Sequence, residues 1–387
     1  MLNGTHRYSR QEEVIYGRPA AEALEHAARS LGATRLLVTT TRSLAGPDGL
    51  ATKLAARLGP LCVGFFDGVR AHSPREGVVA GAHRARSLGC DLLVAVGGGS
   101  VIDATKVMQL CVWGDVERPE ELDRYRAAPG PDRVSMATLE PTVRMVAVPT
   151  TLSAAEFTPF AGVTDAGRRV KEGYSHALLA PRIVVLDPVV TLATPPELWL
   201  STGLKAVDHA VEQLCNPQRA PFADAVAKDG LARLGQGLRA TKTNPNDLDA
   251  RLECQFGMWL AISGASSGRG MGASHAIGHT LGGSFGVPHG ITSCVTLPAV
   301  LRWNESRGGE RQALVRELLG AGEGSASDAV KDLCLVLGLP TTLASVGIRP
   351  DQFRAIAEHA MHDRGIQSNP RPIHGPDDIV EILELAR

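Results

Sequence analysis

The chain has no C-x-x-C pair, no long block of like charges and no apolar run long enough to cross a bilayer. Each absence removes a class of protein. The seven cysteines (Cys62, Cys90, Cys111, Cys215, Cys254, Cys294 and Cys334) are scattered and odd in number. That argues against a disulfide framework or a zinc–thiolate site and predicts reduced thiols in a cytoplasmic protein. Charges nearly cancel, with 40 Lys and Arg against 41 Asp and Glu. Neither nucleic acid nor a membrane surface is therefore an expected partner. The opening residues, Met1 to Arg7, contain no apolar h-region, so no signal peptide is expected.

A length of 387 residues allows two domains with cores of their own. In the first half, β-type runs at 35–40, 61–66, 91–96, 145–149 and 182–186 alternate with helical patterns at 20–31, 75–88 and 101–113. Such alternation predicts a parallel sheet covered on both faces. After Asp187-Pro188 the strand signals fade, and helical patterns at 203–215, 224–238, 248–263, 310–319, 326–338 and 351–359 take over. The expected architecture is an α/β N-terminal domain over 1–186 with a Rossmann-like parallel sheet, followed by an all-α domain over 187–387. The charged, proline-containing segment 114–142 reads as an irregular surface excursion.

Two motifs carry chemistry. In the first, the run Asp91-Leu92-Leu93-Val94-Ala95-Val96 ends in Gly97-Gly98-Gly99-Ser100 and passes into a helical pattern with Ser100 near its N-cap. Strand, glycine turn and helix N-terminus form a cradle for a pyrophosphate, because bare backbone N–H groups and the helix dipole both favour an anion. The spacing is not that of the G-x-G-x-x-G fingerprint. In the second, His275 and His279 are four apart and share one helix face, and His289 follows after a glycine-rich link of Gly282, Gly283 and Gly286. Three imidazoles gathered this way suit a metal, a proton relay, or both.

Together these residues resemble the iron-containing (group III) alcohol dehydrogenases, whose fold is the dehydroquinate synthase-like one. Gly97-Gly98-Gly99-Ser100-Val101-Ile102-Asp103-Ala104-Thr105-Lys106 is similar to that family's GGGSxxDxxK signature. Pro149-Thr150-Thr151-Leu152-Ser153-Ala154-Ala155-Glu156 is similar to its PTT turn, and His275 to Gly290 to its histidine signature. His72-Ser73-Pro74 and Gly283-Ser284-Phe285-Gly286-Val287-Pro288-His289-Gly290 look most like the maleylacetate reductase branch. The resemblance implies that Gly97, Gly98, Gly99 and Ser100 hold the cofactor pyrophosphate. It implies that Thr150, Thr151 and Ser153 line the adenosine and phosphate path, and that Lys171 approaches the nicotinamide ribose. His209, His275 and His289 fall on the family's metal-binding histidines, and His279 on its additional active-site histidine.

The chain departs from the family at one place that matters. Metal-dependent members carry an Asp one helical turn before the first histidine, and here Lys205 stands there. An ammonium cannot ligate a cation and repels one. Asp208 lies about 100° around the helix from His209. Leu204, Val207, Val211 and Leu214 form an apolar stripe, and Lys205, Asp208, His209 and Glu212 a polar one beside it. Lys205 reads either as a solvated lysine paired with Asp208 or Glu212, or as a replacement for the metal's charge near a substrate carbonyl. The expected tightly bound divalent metal is accordingly none; a metal, if present, would use His209, His275 and His289.

Cofactor choice is open to both nicotinamides. NAD-selective relatives often place an acidic residue after the strand at 35–39, where this chain has Thr39-Thr40-Thr41-Arg42. Thr40 is assigned to the cofactor path, and without a carboxylate there NADPH is acceptable beside NADH. The expected protein is an NAD(P)H-dependent oxidoreductase that reduces a carbonyl or oxo-acid substrate. Its catalytic set is Lys205, His209, His275, His279 and His289, with His279 as proton relay. Arg70, His72 and Lys205 point to an acidic small molecule, and a homodimer is expected. The alternatives are a metal-dependent alcohol dehydrogenase, a dehydroquinate synthase-like lyase and a silent cofactor-binding protein.

Overall fold

A computed structural model describes residues 6, 8–127, 133–168, 170–265 and 270–387. The opening stretch free of a signal-peptide pattern lies outside them, apart from His6. The chain divides into two compact units, Tyr8–Thr194 and Pro195–Arg387. The division falls a little beyond the expected boundary at 186, for a visible reason. The Asp187 carboxylate accepts the backbone N–H of Ala20 at 2.8 Å and of Val189 at 2.9 Å, and the Thr194 hydroxyl donates to the carbonyl of Thr150 at 2.7 Å. These bonds keep 187–194 on the first unit.

In the first unit the elements run β1 (Glu13–Tyr16), α1 (Ala20–Leu31), β2 (Leu36–Thr39), α2 (Leu50–Leu58), β3 (Cys62–Phe66), α3 (Arg75–Ser87), β4 (Leu92–Gly97) and α4 (Gly99–Trp113). They continue with β5 (Arg144–Pro149), β6 (Phe160–Asp165), β7 (Val170–Ser175) and β8 (Ile183–Leu186). Among the described residues six strands form one sheet in the order β1-β8-β5-β4-β2-β3, every pair parallel. β4 is buried along its whole length, which explains a sequence run that is apolar rather than alternating. The strand order places the end of β4 mid-sheet, and the glycine turn follows it directly. β6 and β7 pair antiparallel as a separate hairpin. The hairpin is tied to α4 by the Gly162 N–H donating to Asp103 at 3.0 Å.

The second unit contains α5 (Pro196–Cys215), α6 (Pro221–Thr243), α7 (Leu248–Ser263), α8 (Ala273–Phe285), α9 (His289–Trp303), α10 (Glu305–Leu318), α11 (Ala326–Leu337), α12 (Phe353–Ala360) and α13 (Pro376–Leu385). No strand occurs here among the described residues. α5 is buried from Trp199 to Cys215, polar positions included. A helix with polar groups buried all round must find partners for them on its neighbours. No described helix is long and apolar enough to cross a membrane.

Candidate active site

The glycine turn is built as the sequence leads one to expect, with one change. The residue that caps α4 is Gly98, not Ser100. Ser100 instead ties down a neighbouring loop: its hydroxyl oxygen accepts the His72 N–H at 3.3 Å, and its carbonyl accepts the Ser73 hydroxyl at 2.7 Å. A side chain has no room at the turn. A Cβ on Gly98 would lie 2.9 Å from Thr151 Cγ2, and one on Gly99 would lie 3.0 Å from Ser153 Oγ. Gly97 has φ +153°, a conformation that L side chains rarely adopt.

Thr151 and Ser153 therefore stand against the turn. Their hydroxyl oxygens are buried and have no hydrogen-bond partner. Orphaned hydroxyls beside a glycine turn at a helix N-terminus fit the pyrophosphate of a dinucleotide. Thr150 is joined to the turn through its N–H, which donates to the Gly97 carbonyl at 3.1 Å. Thr40 is different. It is fully buried, and its hydroxyl donates to the Val96 carbonyl at 2.8 Å, so it braces the strand end. Arg42 is exposed, and no carboxylate follows β2 before it. Lys171 is exposed on β7, with its side chain lying over Gly162.

In the second unit the polar stripe of α5 meets α8 and α9. Lys205 is buried, which removes the reading of it as a solvated surface lysine. Its Nζ lies 3.8 Å from Asp208 Oδ2 and has no hydrogen-bond partner. Burial lowers its pKa, against the pull of Asp208. Asp208 Oδ2 accepts the hydroxyls of Ser274 at 2.9 Å and Ser293 at 2.5 Å. Asp208 joins the site because α8 and α9 bring hydroxyls to its side of the helix. Glu212 accepts the N–H groups of Gly272 at 2.6 Å and Ser274 at 2.7 Å, and it lies 2.7 Å from His275 Nδ1. Burial pushes the Glu212 carboxyl up to about 7 and the His275 imidazole down to about 3.

The imidazoles form a chain. His209 stacks on His275 with centroids 4.9 Å apart, His275 meets His279 edge-on at 6.2 Å, and His279 stacks on His289 at 5.7 Å. His289 is the first residue of α9. His209 and His275 are buried; burial holds the His209 pKa well below the usual histidine value. His279 is half exposed, and its Nδ1 lies 2.7 Å from Asp363 Oδ2. Asp208, Glu212 and Asp363 are the residues the catalytic set left out. Asp208 and Glu212 carried a signal, their helical spacing from Lys205 and His209. Asp363 carried none.

The cluster offers a candidate metal-holding set, but not the three histidines that the resemblance implies. The ligand atoms that converge among the described residues, all within 4.8 Å of one another, belong to Asp208, Glu212 and His275 rather than to three imidazoles. The Asp208 oxygen facing His275 already accepts two hydroxyls, and both Glu212 oxygens accept backbone N–H groups. Asp208 Oδ1, His209 Nδ1 and His275 Nε2 are buried without a partner, and the nearby Lys205 opposes a cation there by its positive charge.

Comparison with known proteins gives the family. The profile of iron-containing alcohol dehydrogenase matches residues 11–188, and that of the Fe-containing alcohol dehydrogenase family, C-terminal, matches 199–387. The chain belongs to the iron-containing alcohol dehydrogenase family. Within that family it is 35% identical to dehydrogenase FUM7 of Gibberella moniliformis, over 96% of this chain and 95% of that one. It is 33% identical to a maleylacetate reductase of Burkholderia cepacia, over 98% of this chain and 96% of that one. The crystal structure of maleylacetate reductase from a Rhizobium species superposes with a TM-score of 0.83 at 29% identity, covering 100% of this chain and 98% of that one. The fold is that of the family, and the protein is an NAD(P)-dependent oxidoreductase on the maleylacetate reductase side of it.

Proposed function

We propose that this enzyme uses NADH or NADPH to reduce the carbonyl, or the carbonyl-conjugated double bond, of a small oxo acid, and that it does so without a divalent metal. The observation that carries the reading is Lys205, a buried ammonium 3.8 Å from Asp208 at the place where metal-dependent relatives hold a ligand. The glycine turn with Thr151 and Ser153 would hold the cofactor, and the nicotinamide, when bound, supplies hydride. Lys205, buried beside Asp208, supplies positive charge when protonated, which favours the negative charge that develops on a carbonyl oxygen. Glu212 fixes the His275 ring through Nδ1, leaving His275 Nε2 free. His279, half exposed, exchanges protons with solvent. Lys205 favours an anionic substrate by its charge.

NADPH is accepted because Arg42 follows β2 where a carboxylate would repel a 2′-phosphate. A metal-dependent dehydrogenase is the second reading, favoured by the convergence of Asp208, Glu212 and His275. It would use the unpartnered Asp208 Oδ1 and His275 Nε2 and requires an ion to tolerate the nearby Lys205. The test is consumption of NAD(P)H with a panel of oxo acids and simple aldehydes. Turnover of unsaturated oxo diacids ahead of aldehydes supports the reading. Turnover of aldehydes and alcohols alone contradicts it.

A further inference from the structure

The reading of His279 as the group that exchanges protons leaves open which of its nitrogens does so. We propose that Asp363 is a positioning residue that holds His279 in the Nδ1–H form, so that Nε2 is the nitrogen that gives and takes the proton. The inference rests on the reductase reading above and deepens it. His279 Nδ1 lies 2.7 Å from Asp363 Oδ2. The other carboxylate oxygen is also committed: Oδ1 accepts the Gly365 N–H at 2.8 Å. A carboxylate held at both oxygens has little freedom to turn. Burial alone would raise the Asp363 carboxyl, but the hydrogen bond and charge of His279 outweigh it and leave it lowered. An ionised Asp only accepts, so the hydrogen must sit on Nδ1.

The segment that carries Asp363 is itself built to stay in place. Gly365 packs so closely on the start of α8 that a Cβ there would lie 2.8 Å from the Gly272 carbonyl oxygen. The Ile366 side chain is buried. At the far end Asn369 and Asn304 exchange two side-chain hydrogen bonds, at 3.0 and 2.8 Å. Asp363 is thus pinned from both sides over α8, the helix that bears His279. The same helix shows the arrangement twice, since one turn earlier His275 turns its Nδ1 to the Glu212 carboxylate. That pair is buried, whereas His279 is half exposed and can be recharged by solvent.

In the reductive direction the step balances. The substrate carbon would gain a hydride from NAD(P)H, which leaves as NAD(P)+, and its oxygen, or the adjacent carbon of a conjugated system, would gain the proton from His279 Nε2. The imidazolium becomes neutral imidazole with its hydrogen still on Nδ1, and a solvent proton restores it. Asp363 does not change protonation. Its contribution is orientation and stabilisation of the imidazolium.

Asp363→Asn is the informative variant. The amide oxygen still accepts the Gly365 N–H, but its NH2 group now donates to Nδ1 and selects the opposite tautomer. We expect neutral His279 to show Nδ1–H in the parent and Nε2–H in the variant, by 15N NMR of histidine-labelled protein with His279 assigned through His279→Gln. We expect kcat to fall at least tenfold in Asp363→Asn with KM for the oxo acid within about twofold, and partial recovery in Asp363→Glu. An Nε2–H tautomer in the parent, or an Asp363→Asn variant with unchanged kcat, overturns the proposal. A parent enzyme that consumes no NAD(P)H overturns the reductase reading instead, and the NMR result distinguishes the two failures.

Discussion

Lys205→Met removes the ammonium while keeping an unbranched side chain of similar length. The magnitude follows from the geometry. Lys205 Nζ and Asp208 Oδ2 are 3.8 Å apart and both residues are buried. At an effective dielectric constant of about 20, unit charges at that distance attract by about 4 kcal/mol. Methionine avoids the cost of burying the ammonium, which offsets part of the loss. A net destabilisation of about 2–4 kcal/mol is expected, in line with the cost of orphaning one member of a buried pair. The assay is urea unfolding of the parent, Lys205→Met, Asp208→Asn and the double variant. Asparagine can still accept the Ser274 and Ser293 hydroxyls, so the cycle isolates the charge term. A coupling of about 2 kcal/mol is expected, with the double variant more stable than Lys205→Met alone. Strict additivity, within about 0.5 kcal/mol, would refute the charge pairing. In the same set kcat/KM of Lys205→Met should drop roughly ten- to a thousandfold.

The cradle and the buried charges give further tests. Gly98→Val drives a branched side chain into Thr151, 2.9 Å from where Cβ would sit; dinucleotide affinity measured by fluorescence titration should fall at least about tenfold, about 1.4 kcal/mol, with cooperative melting kept at a lowered midpoint. Arg42→Ala should weaken NADPH more than NADH in the same titration, and equal losses would remove Arg42 from the argument. Glu156 is buried with both carboxylate oxygens unpartnered, and burial raises its carboxyl from 4.5 to about 7. Between those pH values the folded protein keeps a proton that the unfolded chain has lost, so stability falls as pH rises through that window, by about 3 kcal/mol. Glu212, also raised by burial to about 7, acts in the same window with the same sign, so Glu156→Gln should lessen that slope in urea unfolding without abolishing it. Lys106, the neighbour of Glu156, is lowered by burial to about 8 and acts with the opposite sign and only above pH 8, so its effect is separable.

Much of the fold was legible because packing and pattern agree. α1 and α7 occupy the residues their apolar spacing indicates, and the buried β4 reads as an unbroken apolar run. The missing strands share a cause, dependence on partners far along the chain. β1 is four residues long and exists by pairing with β8, Glu13 opposite Ile183. The β6–β7 hairpin is weakly apolar because an ionic cluster anchors it: the buried Arg75 guanidinium binds Asp123, Asp165 and Glu172. α9 escaped notice because Pro298 interrupts its pattern. In the site, Lys205 as the departure from the family pattern was visible, but its burial was not, since α8 and α9 provide the cover. Asp363 lies 84 residues beyond His279 in an irregular segment, and only the fold joins them.

Metal content measured beside activity tests the central claim most directly. The account predicts purified enzyme with well under one divalent ion per chain by mass spectrometry of the elements, and NAD(P)H-dependent turnover of an oxo acid that survives prolonged chelation unchanged. One iron or zinc per chain, with activity lost on its removal and restored on its return, would contradict it.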